Sequence, residues 1–314
     1  MKNLVIAVML TLCAVQASAQ GSKFNVNCGK SEKINSLLKV LTKAAVPPPI
    51  TINVSGTCKE SVLIQNFDRL TLNAKPGAVI VGASKNVDPA IFIVASDFVT
   101  VQGFTVQGGV VGVQCGDNSV CNLISLTVEM ATTDGVVFAR SGGDVISDVL
   151  QNNAGRGLVV RNGSKTLVAG GMVQGNGGAG IAVISGSQLT LQSALIQNNA
   201  GSGVRAAQDA TVRLSDNTVS ANGGHGIFID TQSNASLEQD VTGNVVTGNG
   251  GVGVLLGDLS FAQFVGVNNV SGNVSQPDVA CLPQFSATRG AGTVGGTTDC
   301  NEPAAPKSKD DEVR

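Results

Sequence analysis

The sequence predicts an all-β fold, a single-stranded parallel β-solenoid with coils of about 23 residues. Three observations carry this. A short motif recurs: "NAGRGL" begins at Asn153, "NGGAGI" at Asn176, "NAGSGV" at Asn199, "NGGHGI" at Asn222 and "NGGVGV" at Asn249. The second glycine of each G-x-G falls at Gly157, Gly180, Gly203, Gly226 and Gly253. Gly112 and Gly135 extend the series backwards, in steps of 23, 22, 23, 23, 23 and 27 residues. Composition agrees with strands: 40 glycines, no Trp and no Tyr leave the core to Val, Leu and Ile. Leucine-rich repeats share the approximate period, but their L-x-x-L-x-L frame is absent.

Four segments follow in order. Residues 1–19 read as a secretion signal, with Lys2 at the positive end, Leu4 to Val15 as the apolar run and Ala17-Ser18-Ala19 before the cut. A lipoprotein reading of Leu10-Thr11-Leu12-Cys13 is weaker, because a bulky Leu precedes the Cys. No apolar run is long enough to span a membrane. The expected location is secreted or periplasmic. Cleavage after Ala19 removes Lys2 and leaves 19 basic against 22 acidic residues, a net charge of −3 with His neutral. That is no field for nucleic acid.

Residues 20–60 read as an N-terminal cap and lead-in strand. In "SEKINSLLKVLTKA", Ser31 is the candidate N-cap, and Ile34, Leu37, Leu38 and Leu41 share one helical face. "PPPI" then ends the helix and opens the strand-like "ITINVSG". Residues 61–280 are the solenoid, and 281–314 a disulfide-tethered loop with a disordered polar tail. Six cysteines survive cleavage, an even number in an exported chain. Fifteen connectivities are open; the sequence-local set is Cys28–Cys58, Cys115–Cys121 and Cys281–Cys300. Their spacings do not suggest zinc, and no metal or cofactor is expected.

Positions within the repeat have separable roles. The first and third residues after each marking glycine are mostly apolar, as in Ile181/Val183 and Ile227/Ile229, and are expected to face inward. The glycines are expected to permit a bend. Four residues before each mark stands an Asn, and stacked amides can bond along the rod. Six residues before the mark an outer polar ladder, Glu129, Gln151, Gln174 and Gln197, is a candidate binding surface. Two residues after it, Val137, Val159, Phe228 and Leu255 form an outward apolar stripe, a candidate for self-association. The slot just before the mark holds Asp134, Arg156, Ala179, Ser202, His225 and Val252, which reads as an exposed turn position.

"SDFVTVQGFTVQGG", followed by repeats such as "GNVVTGNGGVGV", resembles the right-handed parallel β-helix proteins of the pectin-lyase-like group, and the chain is most similar to its secreted bacterial repeat proteins. The resemblance implies a right-handed β-helix over about residues 24 to 280. The group holds lyases, hydrolases, esterases and epimerases of polysaccharides as well as noncatalytic members, so it implies no single activity.

Of the constellations that the resemblance implies, hydrolase-type paired aspartates are missing beside Gly224-His225-Gly226. Asp230 and Asp240 are the available carboxylates, and Asp310-Asp311 lies in the tail. In "DPAI" at Asp88, the Asp-Pro of the epimerase signature lacks its His-Asp. The absence of Trp and Tyr counts against an aromatic sugar platform. The sequence therefore favours a noncatalytic exported protein that binds polysaccharide or assembles at the envelope. An enzyme on acidic glycans is the alternative. It would use Asp134 as acid or metal ligand, Arg156 and Arg205 as charge neutraliser or proton acceptor, and His225 as acid. A structural or adhesive rod is the third reading.

Overall fold

The computed structural model describes residues 21–82, 88–282, 287–290, 293–298 and 300; the expected leader and the tail from 301 lie outside the described residues. It is a right-handed parallel β-helix of about ten turns. Each coil contributes one strand to each of three parallel sheets, here faces A, B and C, of 12, 11 and 10 strands. One coil shows the pattern. Leu158–Arg161 lies on face C, Lys165–Ala169 on face A and Met172–Gln174 on face B, before the Asn-Gly turn returns the chain to Ile181–Ile184 on face C. Inward residues align from coil to coil, Leu158 with Ile181 and Val204 with Ile227, all fully buried.

The ladder begins before the expected boundary at 61. Ser22–Asn27 already pairs in register with Ile50–Ser55 on face A, and Val279–Cys281 continues face C at the far end. All three sequence-local disulfides are formed: Cys28–Cys58, Cys115–Cys121 and Cys281–Cys300.

The helix α1 (Ile34–Lys43) buries Ile34, Leu38 and Leu41 against the rod. Its N-terminus differs from expectation. Ser31 ends a short 3-10 turn with a left-handed backbone, and Lys33 at the cap position makes no side-chain bond. The free helix N–H groups are met instead by Glu60, which accepts from Ile34 at 2.7 Å and from Asn35 at 3.2 Å. A carboxylate there is favoured by both the unpaired donors and the helix dipole. Glu60→Ala is expected to cost about 1–2 kcal/mol, as loss of a cap does; a urea midpoint equal to wild type would contradict this.

The Asn column is a buried hydrogen-bonded ladder. Asn153, Asn176, Asn199, Asn222 and Asn249 each donate Nδ2 to the next Oδ1, at 2.9–3.0 Å, and Asn273 extends the run. A second ladder, Asn217–Asn244–Asn268, fills the turn between faces A and B. The marking glycines serve close packing rather than a bend. A Cβ on Gly180 would stand 2.7 Å from the Gly203 carbonyl oxygen and 2.8 Å from the Asn199 Nδ2.

Candidate functional site

One groove of about 600 Å³ lies over the outer surface of face C. Val137 and Ala182 form its floor, the turns at Thr133-Asp134, Gly155-Arg156 and Gly178-Ala179 one wall, and Arg161 and Ile184 the other. Arg205 stands in the floor column at the far end. From Val111 to Arg205 the groove crosses five coils, ~19 Å at the usual strand spacing.

Face C can hold such a floor because its outward column changes character along the rod. In strand register it runs Val137, Val159, Ala182, Arg205, Phe228, Leu255. The apolar stripe expected as an association surface is therefore not continuous. Val137 and Val159 are fully buried, in a small cluster with Val111 and Ala139 onto which Val110 packs. Phe228 and Leu255 are half-buried. The turn residues Val110 and Val111 pack over this part of the column, so alternation alone does not expose it.

Two of the four candidate catalytic residues are spent on each other. Arg156 donates to Asp134 through its main-chain N–H (2.9 Å), Nε (3.0 Å) and Nη2 (2.9 Å). The Asp134 side chain is only 13% exposed, so this fork fixes the turn as well as the charge. Arg205 is half exposed, 3.8 Å from Asp230 at the nearest charged atoms, with its guanidinium 5.6 Å from the centre of the Phe228 ring. His225 is tilted relative to the Phe228 ring, with 5.4 Å between the ring centres. Burial lowers the His225 pKa from its ordinary value, and Nδ1 accepts the Val252 N–H at 3.0 Å, which requires a neutral ring. The slot is thus not a uniformly exposed turn position: Asp134 and Val252 are buried, and of its residues Asp134, Arg156 and Ala179 line the groove. Asp230 follows a face C strand and Asp240 a face A strand, so the two carboxylates do not pair.

The polar ladder stands elsewhere, on face B. Gln107 and Gln151 donate to Glu129 at 2.8 and 2.9 Å, Gln174 to Gln151 and Gln197 to Gln174 at 3.1 Å. Its polar groups bond one another along the rod and do not border the groove.

Arg161 is the groove residue that the sequence reading missed. Its Nε is buried without a hydrogen-bond partner, and among the described residues it enters no ion pair. The signal was four residues after the mark, in the second outward column of face C: Ala139, Arg161, Ile184, Ala207. Cys28, Cys58 and Glu60 form the one cluster of metal-type ligands found among the described residues, but the cysteines are bonded to each other and Glu60 caps α1.

Residues 89–270 match the family model described as right handed beta helix region, and the chain belongs to that family. No curated protein matches the chain. Among solved structures it is similar to the A-module of a mannuronan C-5 epimerase from Azotobacter vinelandii, with 12% identity, 88% of this chain and 94% of that one covered, and a TM-score of 0.64. A periplasmic alginate epimerase gives 13% identity, 87% and 73% coverage and a TM-score of 0.57. An alginate lyase from Paenibacillus gives 14%, 86% and 99%, and 0.54. At these identities the likeness is one of fold.

Proposed function

We propose that the protein is exported, loses its leader after Ala19, and binds an acidic polysaccharide in the face C groove without turning it over. The observation that carries this is three guanidinium groups, of Arg156, Arg161 and Arg205, around one apolar floor. Asp134, the one carboxylate among the lining residues, is already held by Arg156. Apolar floor and charged rim suit a pyranose ring bearing an acid group, with arginine forks matching a carboxylate. Alginate and mannuronan, named in the similar structures, are glycans of that kind.

The same geometry supports binding without turnover. Acid–base catalysis needs a group that exchanges a proton near the working pH. A guanidinium is a poor proton acceptor, Asp134 points at Arg156, and His225 has its Nδ1 engaged. An enzyme acting on acidic glycans is the second reading, favoured by the placement of His225 beside Phe228 and Arg205. A purely adhesive rod would need an open apolar stripe, and half of the named stripe is buried.

The test incubates purified mature protein with mannuronan, polygalacturonate and a neutral glucan. It follows retained protein, new unsaturated or reducing ends, and the recovered polymer by NMR. The expected result is retention on both acidic polymers, weakened by salt, with no product. Altered sugars would establish the enzyme reading instead and make Arg205 and His225 the first variants. No retention on either acidic polymer would overturn the glycan reading.

A further inference from the structure

We infer that the groove reads acid groups on every second sugar of an extended chain lying along the rod axis, an inference that rests on the acidic-polysaccharide reading above. Val159 pairs with Ala182 and Ala182 with Arg205, while Arg161 ends the strand that holds Val159. Arg161 and Arg205 are therefore two strands apart, ~9.6 Å along the axis at the usual strand spacing. The coil between them offers the groove Ala179, Ala182 and Ile184 and no charge. It can support a ring but cannot hold an anion.

A 1→4-linked pyranose advances its chain by a length comparable to the spacing of neighbouring strands, which is ~4.8 Å. In an extended two-fold chain successive exocyclic groups alternate sides, so acid groups on one side recur at every second residue. That repeat matches the separation of the two arginines along the axis; across the strand, Arg161 stands one outward column from the floor column that holds Arg205. Their states fit the role. Arg161 has a buried Nε without a partner, and Arg205 meets Asp230 only at 3.8 Å, beyond hydrogen-bond reach. Arg156, on the same coil as Arg161 but across Val159, is held by Asp134 and shapes the wall. Past Arg205 the floor column continues with Phe228, over which the guanidinium lies. The smallest ligand that fills both seats is a trisaccharide with acid groups on its two ends.

The experiment titrates the mature protein with 1→4-linked oligouronates of two, three and four residues. It adds two trisaccharides, one with the middle carboxyl reduced to an alcohol and one with both end carboxyls reduced. The expected result is a rise in affinity of about tenfold or more from two residues to three, the scale of one charge-assisted contact, and little further gain at four. The middle-reduced trisaccharide should bind like the parent and the end-reduced one like the disaccharide. Arg205→Gln and Arg161→Gln should each abolish the step while leaving the circular dichroism of the rod unchanged. Equal gains per residue, or a loss on middle reduction as large as on end reduction, would overturn the alternate-residue reading while leaving the groove as a binding site. Failure of every oligomer and of polymeric uronan to bind would overturn both.

Discussion

Asn199→Ala is expected to lower stability by about 3–5 kcal/mol, the scale of several buried polar groups left unpaired. Asn199 accepts the Asn176 N–H and Nδ2 at 3.1 and 2.9 Å. It donates to Asn222 Oδ1, to the Val173 carbonyl and to the Gln197 carbonyl at 2.9–3.1 Å. Alanine removes all of these, leaves the Asn176 main-chain N–H without its acceptor and leaves the Asn176 amide only the Leu150 carbonyl. The environment cannot relax to compensate, because Gly180 and Gly203 pack their backbones directly against the ladder. Repeat rods can unravel locally, so the urea midpoint should be read with amide exchange, which should rise first in the coils around Asn176 and Asn222. By contrast Ser202→Ala, which installs the residue that stands at Ala179 one coil earlier, should stay within about 0.5 kcal/mol of wild type. Equal effects at the two positions would contradict the ladder's role.

The second large effect is at Asp148, in the turn that the second Asn ladder occupies further along. Its Oδ1 accepts the Leu126 N–H at 2.8 Å, as Asn217 Oδ1 accepts that of Ala194, but its buried Oδ2 has no partner. Burial pushes this carboxyl up from 3.8 to about 7, against the lowering effect of the Leu126 N–H. The sign follows from linkage. Between pH 3.8 and about 7 the folded chain holds a proton that the unfolded chain has released, so stability falls as pH rises through that window. The full span is up to about 4 kcal/mol at 1.36 kcal/mol per unit. Asp148→Asn is expected to remove this slope and to raise the urea midpoint above pH 7. The register places the Leu123 carbonyl where Leu191 accepts the Asn217 amide, so the new amide has a partner. A variant that loses stability at pH 8, or keeps the wild-type slope, would contradict the assignment.

What the sequence made legible is what repeats. The 23-residue period, the inward columns and the Asn ladder each follow from a coil stacked on its like, and the cysteine pairs from nearness in sequence. The same reasoning failed wherever coils are joined by something that does not repeat. Glu60 caps a helix 26 residues before it, which no local signal announces. Val137 and Val159 alternate outward, yet a turn folds over them. The glycines looked like bends because only the structure shows a neighbouring carbonyl at the place of the missing Cβ. Of the candidate site, Arg156 and Arg205 were found from their columns. Arg161 was not, because its neighbours in the column, Ala139, Ile184 and Ala207, carry no charge to mark the position. The Glu129–Gln197 ladder was a real regularity, but its regularity is what lets it satisfy itself.

If the function resides in the face C groove, amide exchange with and without a tetrameric uronate will locate it there. The expected result is protection confined to the groove's coils from Arg161 to Arg205, at residues 155–161, 178–184 and 203–207. Protection along face B at Glu129, Gln151, Gln174 and Gln197, with the groove unchanged, would contradict it.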